Sequence, residues 1–291
     1  MNKQKGFTLI ELMISSLIGL IIMGGIMNLF ITTNRSATLS DAIAQNQETG
    51  RFAMEYLTKF IRRAGYKENS QIEMPPIFAS FSGSPLITCG AGDQEEACSV
   101  NDPDPLEDED IILGDRLGIS YEVTNETTRS CTGQELDIIA DFYYVDVFWV
   151  VGDENSDSYQ DLVCRTYDTQ AGAWLGNAAV SIINHVERFE FQVGLASNAQ
   201  QQNTARYVNL TTAEATASYS LLVRSIRIAI LTTSQDSNNP DRRQSIEQAR
   251  TYSLLDAESF TTDDDDSALR SIFMNTIELT NLIETVRFNN I

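Results

Sequence analysis

The sequence is poor in the residues that most enzymes and metalloproteins depend on. Its 291 residues include one histidine, His185, so no pair of imidazoles exists to hold a metal or relay a proton. A lone histidine in a strand-forming segment reads as structural. There is no Gly-x-Ser-x-Gly, no P-loop and no metal-ligand spacing. None of the four cysteines forms a Cys-x-x-Cys pair, which argues against a zinc ribbon or a thioredoxin-type motif. Acids are plentiful, so a carboxylate pair of the glycosidase kind stays open on sequence. Nothing else points to catalysis, and no enzyme activity, cofactor or metal is expected.

Proline and lysine are missing from long tracts. No proline precedes Pro75, so no breaker interrupts a long N-terminal helix. No lysine follows Lys67. Residues 68–291 hold 12 Arg and 37 acids, a net charge of −25, whereas residues 1–67 hold eight bases and four acids, a net +4. So acidic a head is a poor trap for phosphate backbones, and no nucleic-acid partner is expected. The acid runs Asp102–Asp110 and Asp263–Asp266 lack EF-hand spacing and read as solvated loops rather than Ca²⁺ sites.

Charge is also missing near the N-terminus. Between Phe7 and Ile31 the only charged residue is Glu11. As a helix this stretch would be roughly 37 Å long, enough to cross a hydrocarbon core of ~30 Å. An acid in mid-span costs about 2.5–3.5 kcal/mol, and less near the end. Glu11 is therefore a candidate functional residue. The alternative is a carboxylate that snorkels at headgroup depth. Lys3 and Lys5 precede the run, which keeps the N-terminus cytoplasmic and exports the rest. A secretory signal would carry a small-residue cleavage site after its apolar core. Here the chain runs on through Asn28–Arg35, and the small residue, Gly6, comes before the core.

The helical pattern continues beyond the apolar run. Leu39, Ile43, Ala53, Leu57, Phe60, Ile61 and Ala64 suggest an amphipathic second half, with Ile43, Gly50, Leu57 and Ala64 on one face. One helix is expected from about Thr8 to about Arg63, with Gly65-Tyr66 as its stop. Gly19, Gly24 and Gly25 lie in the apolar half, where they permit close helix approach or bending. Glu68–Asp110 carries loop signals. Strand patterns follow at Leu117–Val123, Ile138-Ile139, Phe142–Val151, Leu162–Tyr167, Val186–Val193, Val223–Leu231 and Ser271–Leu279. The Phe142–Val151 and Leu162–Tyr167 runs read as partners across Gly152–Ser158. The fold class is α+β: a long N-terminal helix packed on a mainly antiparallel sheet.

All four cysteines, Cys89, Cys98, Cys131 and Cys164, fall in the exported part, where disulfides persist. Three pairings are open. The favoured one joins Cys89 to Cys98 across a short loop and Cys131 to Cys164 between strand-forming segments.

Gly6-Phe7-Thr8-Leu9-Ile10-Glu11-Leu12 after a basic leader resembles the type IV pilin signal. Glu48-Thr-Gly-Arg-Phe-Ala-Met54, Phe60-Ile-Arg-Arg-Ala-Gly-Tyr66, Val223-Arg-Ser-Ile-Arg-Ile228 and Arg270–Asn281 are similar to PilW-type minor pilins. The Cys131…Cys164 spacing fits the same group. Some relatives carry a cysteine soon after Ala-Gly-Tyr, where this chain has Lys67-Glu-Asn, and that departure favours the local Cys89–Cys98 pair.

The resemblance implies a leader, residues 1–6, that a prepilin peptidase removes between Gly6 and Phe7, with N-methylation of Phe7. Residues 7–66 would be the N-terminal helix, membrane-spanning over about 7–31, and residues 67–291 a periplasmic β-rich head. Glu11 would pair with the N-terminal amine of a neighbouring subunit and set its register; an intrachain pair with Phe7 stays open. The chain would sit in the inner membrane and then in the pilus, at its tip. Its partners would be other minor pilins, the major pilin and a PilY-type tip adhesin. It would help prime assembly, with roles in adhesion and twitching motility. Two other readings are a J-type pseudopilin of type II secretion and a membrane-tethered binding domain that never polymerises.

Overall fold

The computed structural model describes residues 8–68, 88–89, 96–101, 111–124, 128–139, 142–152, 160–214, 222–234, 250–257, 259–262 and 268–282. The expectations about Gly6, Phe7, Asp102–Asp110 and Asp263–Asp266 lie outside these residues.

A single helix, α1 (Leu9–Ile61), forms a stem of 53 residues, roughly 80 Å long at ~1.5 Å per residue. Thr8 caps its start and Arg62 its end. The chain then turns through Gly65, whose φ of 72° is the left-handed value that glycine adopts freely. The expected stop at Gly65-Tyr66 is therefore where the backbone leaves the stem.

The head contains β1 (Thr88–Cys89), β2 (Glu96–Ala97), β3 (Ile111–Ile112), β4 (Leu117–Tyr121), β5 (Tyr144–Gly152), β6 (Asp161–Asp168) and β7 (Ala173–Trp174). It continues with β8 (Val180–Asn184), β9 (Val186–Leu195), β10 (Arg206–Val208), a short helix α2 (Leu210–Glu214), β11 (Val223–Thr233), β12 (Thr251–Tyr252), β13 (Phe260–Thr261) and β14 (Arg270–Glu278). Two antiparallel sheets dominate. One has the order β10-β9-β11-β14. The other has β3-β5-β6-β7, with β4 also on β5 and β8 also on β6. The β5–β6 hairpin, registered from Tyr144↔Asp168 to Val151↔Asp161, is the expected partnership of two apolar runs.

The main core has three sides. Leu57, Phe60 and Ile61 come from the stem, Phe148 and Leu162 from one sheet, and Phe189 and Ile228 from the other. Strand β11 explains its own composition. Ile226, Ile228 and Ile230 face this core, while Ala229 and Leu231 face Leu254 beside the β12–β13 ladder. Both faces are covered, so the strand becomes uniformly apolar instead of alternating.

Three expectations are corrected. Leu39 and Ile43 do not lie in the core: they are 46% and 39% exposed. The buried face of the stem begins at Ala42 and runs through Asn46, Gly50 and Ala53, so Leu39 falls short of the head. Ile138-Ile139 is not a strand; Ile138 is exposed and Ile139 packs beside Tyr121 and Leu136. The Glu68–Asp110 tract is not only loop, because β1 and β2 pair within it across the Cys89–Cys98 disulfide. Strands β8 and β10, too short to show a period, were not anticipated.

Candidate functional site

The stem begins with a reciprocal cap. Thr8 Oγ1 accepts from the Glu11 backbone N–H at 3.4 Å, while the Thr8 N–H and hydroxyl both donate to Glu11 Oε2 at 3.0 and 2.9 Å. This is a capping box, which satisfies free donors at a helix start. Both bonds to the carboxylate fall on one oxygen. Glu11 Oε1 has no partner among the described residues.

Every residue from Leu9 to Ile31 is exposed. This segment contains the apolar window of mean hydropathy 2.2, long enough to cross a membrane. The hydroxyls of this segment and of the two residues after it are turned inward: Ser15 donates to the Glu11 carbonyl, Ser16 to Met13, Thr32 to Asn28 and Thr33 to Leu29. That satisfaction is what an apolar solvent demands of a helix. Among the described residues, no atom outside the helix backbone approaches a Cβ position at Gly19, Gly24 or Gly25 within 4 Å, and glycines so placed permit close approach of another helix.

The other end of the stem is locked to the head around Asp146. This carboxylate is buried on β5 and accepts from Thr166 Oγ1 (2.6 Å), Tyr121 OH (2.9 Å) and the Cys131 N–H (3.2 Å). Burial pushes its pKa up to about 6, against the lowering effect of those three donors and of the Arg63 charge. Arg63 lies over the Phe60 ring, 4.5 Å from its centre, and donates to the Arg129 carbonyl. Tyr56 donates to the Cys131 carbonyl. The stem, β5, β6 and the Cys131–Cys164 disulfide thus meet at one buried acid. Sequence reasoning missed Asp146, although the signal matched the one that singled out Glu11: one carboxylate within an apolar run, Tyr143–Val151.

The four cysteines pair as Cys89–Cys98 and Cys131–Cys164, with Cα separations of 5.2 and 6.3 Å. His185 adopts a positive φ of 65° at the turn between β8 and β9 and lines a cleft of about 550 Å³ beside Glu48, Phe52 and Glu55 of the stem. Burial lowers its pKa, against the Asp161 charge that raises it. Among the described residues no His, Cys, Asp and Glu cluster could hold a metal.

An exposed apolar half-stem beginning at a carboxylate, with its other half laid on an antiparallel head, is the build of a type IV pilin. Two family models agree. A family model described as Type IV Pilus-assembly protein W matches residues 147–281, and one described as Prokaryotic N-terminal methylation motif matches residues 1–27. No curated protein matches the chain. Among solved structures, a type IV-like pilin from Thermus thermophilus is 14% identical, covering 84% of this chain and 96% of its own, with a TM-score of 0.33. The chain belongs to the type IV pilin superfamily. Within it, the chain is a PilW-like minor pilin of a type IV pilus. Membership implies association with other pilins and the pilus machinery, anchoring in a membrane, and a structural role.

Proposed function

We propose that this minor pilin helps prime pilus assembly and forms part of the tip complex, as a structural subunit and not as an enzyme. A prepilin peptidase cleaves between Gly6 and Phe7, and Phe7 is N-methylated. The N-terminus faces the cytoplasm, because Lys3 and Lys5 immediately precede the apolar run. The head is periplasmic until the subunit leaves the inner membrane for the fibre. Its neighbours are other minor pilins and the major pilin, with a PilY-type adhesin at the tip.

The observation that carries this reading is the half-used carboxylate of Glu11. Cleavage after Gly6 would place a new α-amine, largely cationic at neutral pH, one helical turn from Glu11 in each subunit. A charge in hydrocarbon is costly alone and strongly attracted to an opposite one. Thr8 fills Oε2, and Oε1 is left for the amine of a docking neighbour. A subunit at the wrong height would leave both charges unpaired, so the pair sets register. Shearing pili from cells and probing them for this chain tests the reading. Recovery with the fibre, beside other minor pilins, is expected; confinement to the membrane fraction in piliated cells contradicts it.

A further inference from the structure

Three of the four margins of the two main sheets are protected. The β4 edge is covered: the Gly118 N–H donates to Ser99 Oγ, the Gly65 N–H to the Ser120 carbonyl, and the Glu122 N–H to the Tyr66 carbonyl. The β8 edge carries a register shift against β6. The β10 edge is three residues long. Shortness, bulges and covering segments are the usual means of keeping an edge from pairing.

Among the described residues, strand β14 has none of them. It spans nine residues and pairs with β11 in unbroken register from Ser225↔Glu278 to Thr233↔Arg270. It contains no proline and no lysine, and its charges stand only at its ends. The Leu279 N–H donates to the Arg224 carbonyl, and the Leu269 carbonyl accepts from the Ser234 N–H, so the odd-numbered residues face β11. Ile272, Met274, Thr276 and Glu278 therefore turn their backbone groups outward. The Thr276 N–H is met by Asn275 Oδ1. The outward backbone groups of Ile272, Met274 and Glu278 have no partner among the described residues. Beside this row lies exposed apolar surface, with Met274 64% and Ile272 37% exposed.

We propose that the β14 edge is a docking site for an extended strand of another pilus subunit, which would add to the β10-β9-β11-β14 sheet. This inference rests on the assembly proposed above. A row of open N–H and C=O groups is matched only by another extended backbone, and apolar side chains at alternate positions of that strand would lie beside Met274 and Ile272. A second copy of β14 added antiparallel, the arrangement of every strand pair in this sheet, does not fit. The stem and β14 run in the same direction, because Asn46 meets Leu269, Gly50 meets Phe273 and Thr58 meets Asn275. Antiparallel self-pairing would therefore point the two stems opposite ways, and stems sharing one membrane point the same way. The occupant is a strand of a different subunit.

The test compares four versions of the full-length chain in piliated cells. Met274→Pro deletes an outward N–H and spares the ladder to β11, which edge strands tolerate. Met274→Thr keeps the N–H. The double variant Ile272→Lys, Met274→Lys keeps every N–H but charges the edge, and it serves if proline unfolds the head. Thermal melting in detergent checks the fold of each. The unaltered chain and Met274→Thr should be equally abundant in sheared pili, while Met274→Pro, by losing one backbone hydrogen bond, and the double lysine variant, by placing charges against an apolar strand, each fall roughly tenfold with melting unchanged. Equal recovery of all four overturns the edge and leaves the assembly reading standing. Absence of the unaltered chain from pili overturns both.

Discussion

Gly50 of the stem and Phe273 of β14 approach so closely that a Cβ at position 50 would lie 2.1 Å from the phenyl ring. Glycine inside a helix costs up to ~1 kcal/mol relative to alanine, so this position gives up helix propensity for contact. The neighbouring buried stem residues, Ala42, Asn46 and Ala53, are also small. Asn46 donates to the Leu269 carbonyl at 3.0 Å and accepts from Thr232, tying the helix to both β14 and β11. Gly50→Leu should destabilise the head–stem unit by about 3 kcal/mol through overpacking. Adding Phe273→Ala should recover part of that loss, a coupling of at least ~1 kcal/mol in a double-mutant cycle read by thermal melting. Additive effects would contradict the close approach.

Asp146 predicts a pH dependence with a definite sign. Its pKa rises from the ordinary 3.8 in the unfolded chain to about 6 in the fold. Below the lower value it is protonated in both states, and its stabilising contribution is complete. As pH rises through about 6 that contribution is lost, by about 3 kcal/mol in all at ~1.36 kcal/mol per pKa unit. Asp146→Asn, neutral throughout, should gain on the wild type between pH 4 and pH 7 in denaturant titrations. A wild-type-to-variant difference that does not change with pH would show that the acid is not held protonated.

The two disulfides should differ in weight. By loop-closure entropy the Cys131–Cys164 bridge, spanning 33 residues, contributes about 3.7 kcal/mol, and the Cys89–Cys98 bridge, spanning nine, about 2.6 kcal/mol. The longer bridge also holds the Cys131 backbone against Tyr56 and Asp146. Its double serine variant should therefore loosen the stem from the head, whereas that of Cys89 and Cys98 should not. Limited proteolysis after Arg62 and Arg63 distinguishes them; equal protection in both variants would contradict the difference.

Much of this was legible in the sequence, for stated physical reasons. The stem was readable because a proline-free apolar run followed by a helical period admits little else. Strands β5, β6, β9 and β11 were readable because they bury long apolar faces. Leu39 and Ile43 were misread because periodicity gives a helix face but not where the head ends. Ile138-Ile139 misled because two apolar residues cannot show a period. The short strands β8 and β10 are set by their neighbours and not by their own composition. At the site, Glu11 stood out against an apolar background. Asp146 stood out in the same way and was overlooked because its partners, Tyr121, Cys131 and Thr166, converge only in three dimensions.

Glu11→Ala should separate folding from assembly. The carboxylate contacts Thr8 alone among the described residues, 31 residues before the head first covers the stem at Ala42. Head melting and both disulfides should be unchanged, and membrane insertion should hold or improve because a charge is removed. The chain should disappear from sheared pili while remaining in the membrane. Normal incorporation of the alanine variant would remove the register role.

The most direct measurement is the intact mass of this chain recovered from sheared pili. The account predicts a mass lacking residues 1–6 and carrying one added methyl group and two disulfides, and fragmentation that places the methyl on the Phe7 amine. A chain that still carries residues 1–6, or one cut beyond Ile31, would contradict it.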